Sequence, residues 1–392
     1  MDAPNGKADP ADGPGPATRA EPGTRLDPAS DGARSAAEKR TTGRHRPLDW
    51  VDATAAEDGY LRLLDQTLLP GETRYLRIRT VAELIDAIGR LAVRGAPALG
   101  VAGAFGVALA AQSLAAAEVP AAVARIRHAR PTAANLAWGT DQAAAALAAG
   151  GAEAALTRAK QIRDQDIAAS EAMARRGADE LSRALGVSRG ADAAAGSGVR
   201  LLTICNTGAL AAVERGTALG VIGEVLQEGW LERAYACETR PLLQGARLTA
   251  WELQQMGAPY DVIVDSAAAS LMRRGYVDAV LAGADRVAAN GDTANKIGTF
   301  PLALAARYAG IPFYIVAPET TVDVRTAHGD DIAIEDRPPE EVVRIQGVRT
   351  VPDGASALNP AFDVTPAELI TAIITDRRVI RPAAGERPDD DG

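Results

Sequence analysis

Cysteine and histidine are scarce in this sequence. Of its 392 residues, two are cysteines, Cys205 and Cys237, and three are histidines. Two cysteines are too few for a disulfide-based fold, and they lack the paired close spacing of a structural zinc site. The histidines stand outside any H-E-x-x-H motif, and no G-x-S-x-G motif occurs. We therefore expect a reduced, cytoplasmic protein, and we predict no metal and no cofactor.

Long apolar runs and an excess of positive charge are also missing. The most apolar stretch, Leu99–Ala111, is shorter than the roughly 20 residues that a membrane-spanning helix needs, so it predicts a buried helix. The chain carries 42 Lys and Arg against 51 Asp and Glu, a formal net charge of −9. This charge opposes attraction to nucleic-acid phosphates and to anionic lipid. We expect neither a nucleic acid nor a membrane as partner.

The two ends of the chain differ from the rest. Residues 1–47 contain many Pro, Gly and charged residues and hardly any large apolar side chain. Such a segment buries too little apolar surface to offset the entropy lost on ordering. We predict a disordered leader over 1–47, which lacks the apolar run of a secretory signal, and a flexible tail over 383–392.

Residues 48–190 have a mainly helical pattern. Gly100, Gly103 and Gly106 recur inside it, and this spacing within a helix favours helix packing over dinucleotide binding. A Gly, Ser and Ala-rich stretch at 186–198 is typical of a domain boundary. The predicted elements are the strand Tyr75–Ile78 and the helices Val81–Val93, Ala98–Ala117, Ala121–His128, Asn135–Ala149 and Ala152–Leu185.

Residues 191–382 alternate short apolar runs with helical patterns. This alternation predicts βαβ units and an α/β domain built on a doubly wound parallel sheet. The predicted strands are Leu201–Ile204, Ala234–Cys237, Val262–Val264, Ala279–Ala282 and Phe313–Val316. The predicted helices between them are Ala209–Glu228, Gly245–Met256, Ala267–Arg273 and Lys296–Tyr308.

Reactive groups follow the apolar runs of this second region. Cys205 follows the first run and Asp285 the fourth. Since ligands of open parallel sheets bind at the carboxyl ends of the strands, these groups are candidates for one site. Two structural alternatives stay open from the residues alone: Cys205 as a small buried apolar residue, and Asp285 as a loop cap. Cys237, inside an apolar run, is assigned no role.

Several cations suit an anionic ligand. Asn295 and Lys296 lead into a predicted helix, where a phosphate would meet both backbone N–H groups and an ammonium, although a solvated charge at the helix start is an equal alternative. Arg94 precedes Gly95, which permits a close backbone approach, and Arg130 precedes Pro131. These residues predict a phosphate-binding region.

Ordered blocks across residues 61–382 resemble the methylthioribose-1-phosphate isomerases. This family shares its fold with the regulatory subunits of translation initiation factor 2B and with a ribose-bisphosphate isomerase. The blocks are Val93–Ala98, Arg130–Leu136, Thr203–Gly208, Glu238–Arg247, Gly283–Arg286, Asn295–Thr299 and Asn359–Pro366.

The resemblance implies roles for individual residues. Cys205 and Asp285 match the catalytic pair of the isomerases, a pair that the regulatory subunits generally lack. The position before the cysteine, His in many members, is Ile204 here, which makes the site drier and puts any acid–base role of that neighbour in doubt. The implied substrate contacts are Arg94, Gly95, Ala96, Arg130, Gln244, Asn295 and Lys296.

The resemblance also implies a function and an assembly. It implies a helical N-terminal domain, a Rossmann-like C-terminal domain, a homodimer, and isomerisation of 5-methylthioribose 1-phosphate, a small sugar phosphate, in methionine salvage. Two alternatives remain at this point. One is an isomerase of another pentose 1-phosphate, such as 5-deoxyribose 1-phosphate or ribose 1,5-bisphosphate, and the other is a non-catalytic regulatory subunit on the same fold.

Overall fold

A helical N-terminal region is followed by a large, mostly parallel sheet, which confirms the predicted fold class. The computed structural model describes residues 46–55, 57–130, 133–187 and 198–390. Residues 1–45 of the predicted leader lie outside the described residues, as does the predicted domain boundary at residue 190. The leader and the domain limits therefore stay predictions.

The N-terminal region begins with a small antiparallel sheet and continues as helices. The sheet has the order β1–β2–β3, and Thr80 caps the first helix by accepting a hydrogen bond from the Glu83 amide. The elements are β1 (Leu48–Val51), β2 (Tyr60–Leu64), β3 (Tyr75–Ile78), α1 (Val81–Gly89), α2 (Ala96–Ser113), α3 (Val119–Arg127) and α4 (Ala134–Leu185).

Helix α2 is the predicted buried helix. It is long and apolar enough to span a membrane, but 72% of it is buried in the protein. Its glycines let it pack closely against α4, because a Cβ added at Gly139 of α4 would lie 2.0 Å from the carbonyl oxygen of Gly100. The glycine spacing therefore serves helix packing, as predicted.

Helix α4 is bent once and then runs through two hydrophobic cores. The bend lies at Gly150 and Gly151, where the backbone is not helical, between the two predicted helices. Beyond the bend, Ala155 and Ile162 are buried in the core of the N-terminal region. Further along the same helix, Met173 and Leu181 are buried against the large sheet.

The second region alternates strands and helices as predicted. A π-helical turn, Gly245–Thr249, continues directly into α6, so the predicted helix Gly245–Met256 is confirmed. The elements up to the centre of the sheet are β4 (Val199–Thr203), α5 (Ala218–Gln227), β5 (Leu231–Cys237), α6 (Ala250–Met256), β6 (Tyr260–Ile263), α7 (Ala268–Arg273) and β7 (Ala279–Ala282).

The remaining elements complete the large sheet and add two small ones. They are β8 (Arg286–Ala288), β9 (Thr293–Lys296), α8 (Thr299–Ala309), β10 (Phe313–Val316), β11 (Val322–Asp323), α9 (Glu340–Val343), β12 (Arg344–Ile345), β13 (Val348–Arg349), β14 (Phe362–Thr365), β15 (Ala372–Ile374) and β16 (Val379–Ile380).

The large sheet has the order β16–β15–β10–β7–β4–β5–β6 and is parallel except for β16. From β4 the chain first builds outward to β5 and β6, and then returns to place β7 on the other side of β4. The direction of winding therefore reverses between β4 and β7. In open α/β sheets such a reversal opens a crevice at the carboxyl ends of the strands, where ligands bind.

Several helix predictions are wrong in part. Helix α1 ends at Gly89 and not at Val93, and α2 ends at Ser113 and not at Ala117. The predicted helix Ala209–Glu228 is a short 3-10 turn at Ala209–Ala211, followed by a loop and then by α5. The predicted helix Lys296–Tyr308 begins only at Thr299, because Asn295 and Lys296 belong to β9. Strand β9 pairs antiparallel with β8 and β14 in a four-stranded sheet of order β11–β8–β9–β14, which was not predicted.

The C-terminal tail is described up to residue 390. The Arg378 guanidinium donates hydrogen bonds to the carbonyl oxygens of Asp390 and Pro388, at 2.7 and 2.6 Å. The predicted flexibility of residues 383–392 stays a prediction.

Candidate active site

One cavity collects the residues that were predicted to form a site. Its volume is about 770 Å³, including the part open to solvent. The start of α2, the segments that follow β4 and β7, and strand β9 all contribute to its wall. The predicted residues that line it are Arg94, Gly95, Ala96, Arg130, Cys205, Gln244, Asp285, Asn295 and Lys296.

Cys205 and Asp285 follow the two strands between which the winding reverses. Strands β4 and β7 are hydrogen-bonded neighbours, with Thr203 opposite Leu281. Cys205 comes two residues after the end of β4, and Asp285 three residues after the end of β7. Because parallel strands end at the same edge of a sheet, both side chains reach the same cavity.

The backbone of Cys205 is held in an unusual conformation. Its φ is 61°, in the left-handed region that non-glycine residues rarely adopt. Its amide donates to the Thr239 hydroxyl at 2.8 Å, and its carbonyl accepts from the Thr249 hydroxyl at 2.6 Å. The two hydroxyl groups therefore fix the peptide units on both sides of Cys205.

The two cysteines have different surroundings. Cys205 is 8% exposed and lines the cavity, whereas Cys237 is fully buried inside β5. Burial raises the pKa of the Cys237 thiol, and the nearby carboxylates of Asp265 and Glu238 raise it further. A sealed, protonated thiol suits a structural residue, in line with the absence of a predicted role for Cys237.

Two buried cations face the thiol and the carboxyl group. Arg94 is 9% exposed and Lys296 8%. The Lys296 ammonium donates to the Ala361 carbonyl at 2.8 Å and lies 4.4 Å from the centre of the Phe362 ring. Burial lowers the pKa of both cations, and the nearby Cys205 and Asp285 groups act in the opposite direction. Lys296 is thus not a solvated charge at a helix start.

Asp285 lines the cavity, but its carboxyl group is shielded from bulk water. Its side chain is exposed to the space of the cavity, but the surrounding protein desolvates the carboxyl group and so raises its pKa. The charges of Lys296, Arg130 and Arg94 lower the pKa without cancelling this rise. A carboxyl group of this kind stays protonated at a higher pH than an ordinary aspartate and can act as an acid.

Other polar groups of the cavity suit a hydroxylated ligand. Among the described residues, the Gln244 Oε1 atom is buried and has no hydrogen-bond partner. A buried acceptor left without a donor is costly, so a ligand hydroxyl there would relieve it. The Arg130 guanidinium, at the cavity wall, lies 3.6 Å from the Glu335 carboxylate. The same carboxylate pairs with the Arg337 guanidinium at 3.0 Å.

Gly95 lines the cavity, and it also permits a close contact within the fold. Its φ is 95°, and an added Cβ would lie 2.4 Å from the Ala211 carbonyl oxygen. The close approach that glycine permits is therefore made by the chain after Cys205, which packs against the start of α2. The same contact brings the N-terminal end of α2, with its partial positive charge, to the cavity wall.

The sequence patterns missed several residues of the cavity wall. Asn206, Phe362 and Arg337 all line it. The first two lie within blocks that resemble the isomerases but carry no chemistry that singles them out, and Arg337 comes from a loop without a pattern. Among the described residues, no group of three or more His, Cys, Asp or Glu could hold a metal ion.

Comparison with known proteins identifies relatives of this chain. Residues 92–382 match the Initiation factor 2 subunit family. A methylthioribose-1-phosphate isomerase of Xanthomonas oryzae is 49% identical over 86% of this chain and 92% of its own length. A 5-deoxyribose 1-phosphate isomerase of Moorella thermoacetica is 46% identical, over 86% of this chain and 94% of its own length.

A third relative is longer than this chain. A probable bifunctional methylthioribose-1-phosphate isomerase/methylthioribulose-1-phosphate dehydratase of Nocardia farcinica is 47% identical over 88% of this chain. The chain spans only 61% of the length of that protein.

Solved structures share both the fold and much of the sequence. The 5-methylthioribose 1-phosphate isomerase of Pyrococcus horikoshii superposes with a TM-score of 0.76 at 38% identity, covering 86% of this chain and 92% of that one. The eIF-2B subunit delta of A. fulgidus has a TM-score of 0.72 at 39% identity, covering 87% and 97%. This chain therefore belongs to the Initiation factor 2 subunit family, together with the methylthioribose-1-phosphate isomerases.

Proposed function

We propose that this protein isomerises 5-methylthioribose 1-phosphate, an aldose, to 5-methylthioribulose 1-phosphate, a ketose, in methionine salvage. The observation that carries the proposal is the meeting of Cys205 and Asp285 with Arg94 and Lys296 in one cavity. The names of the relatives give the substrate class. We also propose that the protein is a cytoplasmic homodimer and that it binds neither nucleic acid nor a membrane.

The substrate makes unusual demands on the enzyme. Phosphate on the anomeric oxygen prevents the simple hemiacetal ring opening of free sugars, so the enzyme must break the bond between C1 and the ring oxygen. Hydrogen must also leave C2 and arrive at C1. The site therefore needs an acid at oxygen, a proton carrier at carbon and a binding site for the phosphate dianion.

We assign the phosphate to Arg94, Arg130 and Lys296, with the N–H groups at the start of α2. Charge-assisted hydrogen bonds to phosphate are the strong ones, and a cavity that holds little water strengthens them. Gln244 and Asn295, both largely buried, remain to bind sugar hydroxyls. The same enclosure protects the open-chain intermediate from water.

Asp285 and Cys205 share the proton transfers. Asp285 donates its proton to the ring oxygen as the bond from that oxygen to C1 breaks, and the Cys205 thiolate removes the proton from C2. The product is an enol phosphate with a double bond between C1 and C2. The thiol then returns the proton to C1, and the Asp285 carboxylate takes the proton of the C2 hydroxyl, which leaves a ketone at C2. Both groups end the cycle as they began.

Turnover by purified protein tests the function. The panel contains 5-methylthioribose 1-phosphate, 5-deoxyribose 1-phosphate and ribose 1,5-bisphosphate, each with the parent, Cys205→Ala and Asp285→Asn. We expect each substitution to lower kcat on the order of 10²-fold or more, with the circular dichroism spectrum unchanged. Near-parental turnover in both variants would end the proposal for these two groups.

Two further outcomes decide between neighbouring functions. Preference for 5-deoxyribose 1-phosphate would support the activity named for the Moorella relative. No turnover of any sugar phosphate, with stable binding to an exchange-factor complex, would support a regulatory subunit. A deuterium label at C2 tests the route. Loss of label to solvent requires exchange of the proton held by the Cys205 thiol and so indicates the proton transfer described above, whereas a hydride shift retains the label completely.

A further inference from the structure

Beneath the cavity lies a buried carboxylate that the proposed reaction does not use. Glu252, on α6, is 5% exposed. Its carboxylate accepts hydrogen bonds from the Asn206 side-chain amide at 2.6 Å and from the Ala209 backbone amide at 2.7 Å. A third donor, the Leu210 amide, lies at 3.4 Å. All three partners belong to the chain segment that follows Cys205.

Glu252 fixes the orientation of the Asn206 side chain. A carboxylate can only accept, so the end of the amide that faces it is the NH₂ group. The Asn206 oxygen therefore points the other way, where it accepts a hydrogen bond from the Arg94 guanidinium. The Asn206 backbone carbonyl accepts a second one from Arg94 at 3.0 Å. The Glu252 carboxylate, the Asn206 amide and the Arg94 guanidinium thus form one connected series of hydrogen bonds.

The segment after Cys205 is shaped around this carboxylate. A Cβ added at Gly208 would lie 2.4 Å from the Glu252 Oε2 atom, so a side chain at this position would force the Glu252 carboxylate to shift. One helical turn before Glu252, the Thr249 hydroxyl accepts from the Asn206 amide at 3.2 Å and donates to the Cys205 carbonyl. Two residues of the same helix therefore hold both Cys205 and Asn206.

Charge supports the same arrangement. Arg94 and Glu252 are both buried, and a buried ion is costly unless an opposite charge and hydrogen bonds compensate it. Desolvation lowers the pKa of Arg94, and Glu252 is among the anionic groups that counter this. Desolvation raises the pKa of Glu252, and both Asn206 and Arg94 oppose that rise. Each charge makes the burial of the other less costly.

We propose that Glu252 is a positioning residue: through Asn206 it holds Arg94 at the phosphate site and keeps the Cys205 segment in place. It touches neither the substrate nor the reacting atoms. The inference rests on the proposed function only for its kinetic readout, because phosphate binding and thiol access can be measured without turnover.

The test compares Glu252→Gln with a matched variant, Glu180→Gln. Glu180, on α4, is likewise largely buried and is paired with arginines, Arg183 and Arg381, away from the cavity. We measure the Kd of inorganic phosphate by calorimetry and the rate at which iodoacetamide alkylates Cys205. Cys205→Ala is the control for labelling at Cys237, and we expect it to remain unlabelled because Cys237 is fully buried. With active protein, kcat and KM are added.

For Glu252→Gln we expect phosphate binding weakened about tenfold or more, an altered alkylation rate and a raised KM. Glu180→Gln lowers the thermal midpoint but leaves these three quantities at parental values. A Glu252→Gln protein that folds, binds phosphate like the parent and is alkylated at the parental rate overturns the inference, whether or not the parent is an isomerase.

A second variant keeps the test decisive if Glu252→Gln does not fold. Asn206→Ala breaks the connection but leaves Glu252 its bonds to the backbone amides of Ala209 and Leu210. We expect weakened phosphate binding of similar size in Asn206→Ala. Parental phosphate affinity in that variant contradicts the connected series.

Discussion

Backbone strain at the scale of single residues is concentrated around the cavity. Of the five described non-glycine residues with positive φ, four lie in or beside its wall: Leu91, Cys205, Thr239 and Leu243. Each such conformation costs on the order of 1–3 kcal/mol and persists only when its surroundings enforce it. At Cys205 the enforcing groups are the hydroxyls of Thr239 and Thr249, both fully buried.

Thr239→Val removes one of these hydroxyls and keeps the side-chain shape. The Cys205 amide and the Cys237 carbonyl then lose their shared partner in the interior. We expect a loss of about 1–3 kcal/mol in the free energy of unfolding and a kcat at least tenfold lower, because the thiol is displaced. Thr239→Ser restores the hydroxyl and is expected to recover most of the kcat. Parental kcat in Thr239→Val would show that the thiol does not depend on this bond.

The pH dependence of turnover tests the role of Asp285. Its raised pKa keeps the acid form present at pH values above 3.8, the ordinary pKa of an aspartate. Only the acid form can donate a proton. We therefore expect kcat/KM to fall as pH rises through the raised pKa. The substrate phosphate titrates identically for every variant. The fall in kcat/KM that is due to Asp285 is therefore the one that is absent from the pH profile of Asp285→Asn. A fall that persists in this variant is due to another group.

For single residues, the sequence predicts which side chains take part in the chemistry better than it predicts which residues contact each other. Cys205 and Asp285 were candidates because each lies shortly after a buried strand and strand ends share an edge, and the resemblance to the isomerases marked them as a pair. Arg337 could not, because its loop reaches the cavity through tertiary packing that leaves no local pattern. The role of Glu252 was likewise hidden, since a glutamate in a helix is most often a surface residue.

At the scale of elements, glycine decides how closely the helices approach. The contact between α2 and α4 depends on Gly100 and Gly139, whose backbones touch. The glycine spacing predicted close helix packing, but it did not predict the partner helix. Strand β9 was not predicted, because its residues Thr293–Lys296 are mostly polar and their partner β14 lies far along the chain. Pairing at such separation depends on the whole fold.

Gly139→Ala tests the helix contact. The added methyl group would lie 2.0 Å from the Gly100 oxygen, so α4 must move away from α2. We expect a loss of about 1–3 kcal/mol in the free energy of unfolding, measured by urea denaturation. The control is Gly89→Ala at the end of α1, where nothing lies within 4 Å of the added group. Equal stability of the two variants would contradict close packing as the reason for the glycine.

At the scale of the molecule, the cavity joins the two regions of the chain. Arg94, Gly95, Ala96 and Arg130 come from the N-terminal region, and the thiol, the carboxyl group and Lys296 from the second. The fold class was predictable from the alternation of strands and helices. The return of β7 to the side of β4 was not, because local patterns do not encode the order of strands in a sheet.

A ligand that binds both regions must stabilise the whole protein. We expect inorganic phosphate to raise the thermal midpoint, by an increment corresponding to about 2.7 kcal/mol at a concentration of 100 times its Kd. Arg94→Ala and Lys296→Ala are expected to lose this response. Chloride at equal ionic strength is the control for salt effects. An equal rise in midpoint with both anions would contradict a phosphate site between the regions.

The course of α4 beyond its bend limits how this protein can move. One uninterrupted helix is anchored by Ala155 and Ile162 in the first core and by Met173 and Leu181 in the second. A swivel of one region against the other would have to break that helix or pull one anchor out of its core, and either change is costly. A clamshell motion of the two regions is therefore disfavoured.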